Sequence, residues 1–338
     1  MDVQELEAIA RALVAPHKGI LAADESTGTI GKRFAAIGID NVEPNRRAYR
    51  DMLLTTPDLA EHISGVILYD ETIRQQALDG TPFPELLAKV GIIPGIKVDT
   101  GARDLPLHPG EKITEGLDGL PERVAEYVRL GARFAKWRAV ITIGEGIPSR
   151  ACLVANAQAL ARYAAICQEG GLCPIVEPEV LMDGDHSIER CEEVTTETLD
   201  TVFEHLRTAG VAYEGMVLKP NMVVPGKAAP RQASVDEVAE ATLRVLRRCV
   251  PAAVPGIAFL SGGQSAEEAT AHLQAMNARG ALPWGLSFSY GRALQDPALK
   301  AWGGDPANVD AGRDQLARRA RNNGAARDAE YTPAMEAA

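Results

Sequence analysis

The chain has 338 residues, 46% of them hydrophobic and 24% charged, the composition of a globular protein large enough to bury about three quarters of its unfolded surface. Disordered, collagenous and small disulfide-scaffold chains are thereby excluded. Its 35 basic and 46 acidic residues leave a net charge of −11, which repels nucleic-acid phosphates and anionic membranes.

The first residues, MDVQELEAIARALVA, carry Asp2, Glu5 and Glu7 where a secretory leader would carry Lys or Arg, and their apolar positions recur at helical spacing. Short apolar runs bounded by turn residues then predict strands over 18–24, 64–70, 92–99, 134–140, 172–180, 215–220, 256–262 and 284–291. Helical patterns lie over 44–55, 71–79, 121–130, 151–169, 195–209, 234–249 and 265–279. Pro121, Ser234 and Ser265 mark helix starts, and Gly131, Gly170, Gly210 and Gly280 mark stops. Strands that alternate with crossover helices form a parallel sheet, and eight such units close into a (β/α)8 TIM barrel. A single domain is expected, with the barrel over about 18–300. Beyond it, a helix with Arg318, Arg319 and Arg321 leads into an Ala-rich tail, over about 305–338, that has little to anchor it and is expected to be flexible. No apolar run approaches the ~18 residues of a membrane span.

Cys152, Cys167, Cys173, Cys191 and Cys249 are odd in number and form no CxxC pair. They read as reduced thiols of a cytoplasmic protein.

Period-2 alternation divides each strand into an apolar and a charged face. Lys97 and Asp99 alternate with Ile96 and Val98, Lys136 and Arg138 with Ala135, Trp137 and Ala139, and Glu177 and Glu179 with Val176 and Val180. Lys219 lies between Leu218 and Pro220, and Asp24 falls opposite Leu21 and Ala23. In a parallel sheet under crossover helices the apolar face packs on the helices, so the charged face points into the barrel. All these charges lie near the C-terminal ends of their strands, the rim where barrels place active sites. Stability alone is a poor reason to bury four cations and four anions together. Asp99 reads equally well as a structural partner of Lys97.

Lysines crowded by other cations in a partly dry pocket have lowered pKa values, and an uncharged amine attacks carbonyls. Neighbouring carboxylates can move the protons needed to form and dehydrate a carbinolamine and to break a carbon–carbon bond. The reaction class read from these residues is Schiff-base carbonyl chemistry, such as reversible aldol cleavage. Ser261-Gly262-Gly263 after the seventh strand and Ser289-Tyr290-Gly291-Arg292 after the eighth occupy positions where barrels bind phosphate. Ser26, Thr29, Lys32 and Arg33, after the first strand, offer a second anion site across the rim, so the substrate expected is a bisphosphate. The histidines, His17, His62, His108, His186, His205 and His272, show no HxH or HxxxH grouping and read mostly as surface or capping residues. No metal or other cofactor is expected. Trp137, Trp284 and Trp302 read as packing.

The segments ILAADESTGTIGKR, SGVIL, GIKVD, ARFAKWRAV, IVEPEV, LKPNMV, FLSGGQS and SFSYGRALQ, spread from Ile20 to Gln295, resemble class I fructose-bisphosphate aldolase, the Schiff-base, metal-independent type. The resemblance implies a homo-oligomer, usually a tetramer, that cleaves fructose 1,6-bisphosphate to dihydroxyacetone phosphate and glyceraldehyde 3-phosphate in glycolysis and gluconeogenesis. By motif position it implies Lys219 as the Schiff-base lysine, a choice between Lys219 and Lys136 that spacing leaves open. It implies Glu177 as the acid/base of dehydration and Asp24 as the base for the C4 hydroxyl, with Lys136 and Glu179 holding the surrounding charges. Arg33, Ser261, Gly262, Gly263, Ser289, Gly291 and Arg292 would take the phosphate beside the ketone, and Ser26, Thr29, Lys97 and Arg138 the distal one. Where many members of that family end in a tyrosine that visits the active site, this chain ends in MEAA, and Tyr331 in AEYTP does not match that position. Two other readings stay open: a transaldolase-like Schiff-base lyase, which needs one phosphate site, and a catalytically silent barrel that binds sugar phosphates or protein partners.

Overall fold

The structure, a computed structural model, describes residues 2–337. Ten strands occur in chain order: β1 (Gly19–Ala23), β2 (Ile63–Leu68), β3 (Ile93–Lys97), β4 (Gly101–Asp104), β5 (Lys112–Glu115), β6 (Phe134–Ile141), β7 (Cys173–Val180), β8 (Val217–Leu218), β9 (Gly256–Phe259) and β10 (Gly285–Tyr290). Eight of them, β1-β2-β3-β6-β7-β8-β9-β10, pair in parallel and close into a barrel. The seam is β1 against β10, with Ile20 opposite Ser289 and Leu21 opposite Tyr290.

The expected strands are all present, most of them shorter, although β6 runs one residue further, to Ile141, and β2 begins one residue earlier, at Ile63. β8 is only two residues long because Pro220, which lacks an N–H, follows soon after, although the Lys219 amide still extends the ladder by donating to Val176 O at 2.8 Å. Strands β4 and β5 form an antiparallel hairpin outside the barrel that the sequence reading missed. Their residues, GARD and KITE, are mostly exposed or half-buried and carry little apolar signal.

Serine caps set several helix starts as expected: Ser234 and Ser265 each form a capping box, with Glu237 and Glu268 respectively. Gly131 and Gly210, both with positive φ, follow the ends of helices 120–129 and 188–208. The expected helix over 195–209 begins seven residues earlier, at Ile188, capped by Ser187. That over 71–79 shrinks to Asp70–Ile73, and the helix that leads into β3 is Phe83–Lys89.

The apolar core forms two layers. The larger one lies between the strands and the surrounding helices and includes Ile96, Val98, Trp137, Val176, Val180 and Leu218, the outward faces predicted from alternation. The smaller one fills the bottom of the barrel. Leu6, Ile9, Ala10, Leu13 and Val14, on and just after the helix Val3–Leu13, pack against Ile20, Ile67, Phe134, Cys173, Ile175 and Val217 from the strands. Along several of these strands the inward positions thus begin apolar and turn charged toward the C-terminal end, as in Phe134, Lys136 and Arg138 or Cys173, Ile175, Glu177 and Glu179. The N-terminal helix acts as a plug that keeps water from reaching the charges from below.

The expectation that the tail has little to anchor it is corrected. After the helix Val309–Arg327 the chain folds back, and Arg319, which is 1% exposed, takes both carboxylate oxygens of Glu336 at 2.6 and 2.7 Å. Tyr331 donates its hydroxyl to the same carboxylate at 2.9 Å, and its amide reaches Gln274. All five cysteines are free thiols and four are buried. No helix among the described residues is long and apolar enough to cross a membrane.

Candidate active site

The C-terminal ends of β1, β3, β6, β7, β9 and β10 and the segment after β8 surround a cavity of about 420 Å³ at the mouth of the barrel. Its lining unites Asp24, Lys97, Lys136, Arg138, Glu177, Glu179 and Lys219 with Ser26, Thr29, Lys32, Arg33, Ser261, Gly262, Ser289, Gly291 and Arg292. Of the charges predicted from strand alternation, all but Asp99 therefore line this one cavity.

Glu177 lies at its centre. One carboxylate oxygen is 3.2 Å from Lys219 Nζ and the other 3.3 Å from Lys136 Nζ, and Lys136 is also 2.7 Å from Asp24 Oδ2. Lys219, Lys136 and Glu177 are each no more than 4% exposed. At this depth burial pushes the Asp24 and Glu177 carboxyls up, but the ammonium groups of Lys136 and Lys219 outweigh it, holding Asp24 well below the ordinary carboxylate range and lowering Glu177 as well. Burial likewise opposes the charge on Lys136, yet Asp24 and Glu177 raise its pKa above the usual lysine value. This corrects the expectation of a lowered lysine as far as Lys136 is concerned. Clasped by two carboxylates, Lys136 is a permanent ammonium, whereas Lys219 touches one.

The outer charges pair as well. Arg138 meets Glu179, and its amide donates to Asp99 Oδ2 at 3.2 Å. Lys97 is tied to the Asp99 side chain and donates to Asp99 O at 2.8 Å, while Asp99 Oδ1 accepts the Gly101 amide that opens the hairpin. Of the two readings left open for Asp99, these contacts favour the structural partner. Ser26 caps the helix Thr27–Ala35 and its hydroxyl lies 3.1 Å from that of Thr29. Opposite, the Arg292 guanidinium bonds Gly262 O, and the Ser289 hydroxyl is buried without a hydrogen-bond partner.

Two features of the rim differ from the sequence reading. Gly263 does not line the cavity, because its amide turns away to Met182 Sδ at 3.0 Å. Glu25, which was not singled out, does line it. Its carboxylate sits 2.7 Å from both Arg33 Nη1 and Arg50 Nη2 and accepts from Gln295 Nε2 at 2.8 Å. Strand alternation would turn Glu25 away from the cavity, but β1 ends at Ala23 and the chain is already bending into the next helix. Its position directly after Asp24 was the only available signal.

A family model described as "Fructose-bisphosphate aldolase class-I" matches residues 5–338. The chain belongs to the class-I fructose-bisphosphate aldolase family. It is 59% identical over 327 residues to a probable fructose-bisphosphate aldolase class 1 of Xanthomonas campestris pv. campestris, covering 96% of this chain and 98% of that one. It is 53% identical over 332 residues to the muscle-type aldolase of Lethenteron camtschaticum, covering 98% and 92%. Among solved structures it is similar to the Plasmodium falciparum aldolase, crystallised with TRAP and a small-molecule inhibitor, with a TM-score of 0.96, 50% identity, and coverage of 98% and 96%. The closed parallel barrel agrees with the fold expected of a class-I aldolase. Among the described residues, no group of three His, Cys, Asp or Glu side chains converges as a metal site.

Proposed function

We propose that the chain cleaves fructose 1,6-bisphosphate reversibly to dihydroxyacetone phosphate and glyceraldehyde 3-phosphate through an iminium on Lys219. The observation that carries this assignment is Glu177 bridging two lysines of unlike character, one clasped by two carboxylates and one in contact with Glu177 alone.

The Lys219 amine adds to the C2 ketone, and protons exchanged with Glu177 allow the carbinolamine to lose water. The iminium then draws the electrons of the C3–C4 bond as Asp24 removes the C4 hydroxyl proton. Glyceraldehyde 3-phosphate leaves, and the enamine that remains is protonated at C3 and hydrolysed to dihydroxyacetone phosphate. Lys136 keeps Asp24 and Glu177 ionised and therefore competent as bases. Glu179 holds Arg138. Arg33, Ser261, Gly262, Ser289, Gly291 and Arg292 take the phosphate beside the ketone, and Ser26, Thr29, Lys97 and Arg138 take the distal one, with Lys32 at its edge. Gly263 falls outside this set because its amide is already bonded.

The two anion-binding edges favour a bisphosphate over the single-phosphate substrate of a transaldolase-like enzyme. We further propose a single barrel domain, working in the cytoplasm as a homo-oligomer, a tetramer by family.

The test compares fructose 1,6-bisphosphate with fructose 1-phosphate. Thr29→Val and Lys97→Met should lower kcat/KM for the bisphosphate about tenfold or more while leaving the monophosphate within about twofold. Equal losses on both substrates would overturn the division into two phosphate sites.

A further inference from the structure

A loop that binds phosphate through backbone amides must keep its carbonyl oxygens out of the site, since each would repel the anion. Among the described residues, the amides of Ser261 and Gly262 donate to no backbone or side-chain acceptor, while both of their carbonyls accept from a donor. Gly262 O is held by Arg292. Ser261 O accepts twice from Gln264, from its amide at 3.1 Å and from its side-chain Nε2 at 3.1 Å. A carbonyl can only accept, so the Gln264 NH2 must face Ser261 and its Oε1 must point the other way. There it meets His272 Nδ1 at 2.6 Å.

His272 comes from the helix Ala266–Asn277, is 7% exposed, and does not itself line the cavity. Because Gln264 Oε1 accepts, Nδ1 must carry the hydrogen, which fixes the tautomer. Burial lowers the pKa of His272 to about 4, so the ring stays neutral at physiological pH.

We propose that His272 and Gln264 are positioning residues for the phosphate beside the ketone: His272 orients the Gln264 amide, which pins the Ser261 carbonyl outward and leaves the Ser261 and Gly262 amides turned to the anion. The proposal rests on the reading that this loop holds that phosphate.

The test uses the full-length enzyme, measuring kcat and KM for fructose 1,6-bisphosphate and the competitive inhibition constant of inorganic phosphate. His272→Phe and Gln264→Met should each raise KM and the phosphate constant about fivefold to tenfold, the loss of one hydrogen bond, with kcat within about twofold. His272→Asn places a side-chain NH2 where Nδ1 stood and should restore values close to those of the unaltered enzyme, and the double variant His272→Phe/Gln264→Met should be no worse than the weaker single one. A folded His272→Phe enzyme with unchanged KM, or a His272→Asn enzyme no better than His272→Phe, overturns the proposal. Should His272→Phe fail to fold, Gln264→Met, whose side chain is only partly buried, decides by the same criterion. Arg292→Met separates the two levels. If it raises the phosphate constant while His272→Phe and Gln264→Met do not, the loop holds phosphate and the positioning role fails; if Arg292→Met leaves that constant unmoved, the phosphate site itself is misassigned.

Discussion

Replacing Lys136 by Met removes the cation that lies between Asp24 and Glu177 and fills its space with an apolar chain. Both carboxylates touch the same nitrogen, at 2.7 and 3.3 Å, so their facing oxygens are within about 6 Å of each other and would repel by about 3 kcal/mol at an effective dielectric near 20. Breaking a buried ion pair on one side costs about 3–5 kcal/mol in general, and a loss in that range is expected at about pH 8, moderated by Lys219 beside Glu177. The pH dependence has a definite sign. In the unaltered protein the folded-state pKa values of Asp24 and Glu177 are depressed, so their contribution is present above the unfolded carboxylate range of about 4 and fades only as pH falls through the folded values. Without Lys136, burial dominates and those pKa values rise, so the variant recovers stability as acid protonates the pair. Urea unfolding followed by circular dichroism, at one protein concentration, should therefore show a deficit that is largest near pH 8 and smaller near about pH 5. A deficit under about 1 kcal/mol at the higher pH, or one that grows on acidification, would refute the reasoning.

Three further outcomes are expected. Glu25→Gln leaves the guanidinium groups of Arg33 and Arg50 without their carboxylate and should cost about 2–4 kcal/mol in urea unfolding, together with a higher KM because Arg33 lines the cavity. Glu336→Gln should release the tail from Arg319, and hydrogen exchange should show faster amide exchange over 331–337 with the barrel strands unchanged. Prolonged EDTA treatment should leave cleavage activity intact, because the iminium supplies the electron sink that a metal would otherwise provide.

Much of the site was legible because a strand's period of two is rigid. Once Trp137, Val176 and Leu218 are assigned to the helix-packed face, Lys136, Glu177 and Lys219 have only the barrel interior to face. That argument stops where a strand stops. Glu25 lies two residues past β1, on a bend, and its enclosure by Arg33 and Arg50 depends on a helix far along the chain. Gly263 belongs to a glycine pair that looks uniform in sequence, yet the amide of one residue is diverted to a sulfur brought in by the loop after β7. Which of the crowded lysines stays charged was not legible for a related reason. Composition counts the cations around a lysine, but the two carboxylates at contact distance decide its charge. The tail anchor likewise depends on Arg319 and Glu336, 17 residues apart, meeting after a chain reversal that no local pattern announces.

The assignment of Lys219 as the covalent residue can be read directly. Incubation with dihydroxyacetone phosphate, borohydride reduction and peptide mapping should place the added mass on the peptide that contains Lys219, and the label should vanish in Lys219→Met. A stable adduct on Lys136 instead, or none on either lysine, would contradict the account.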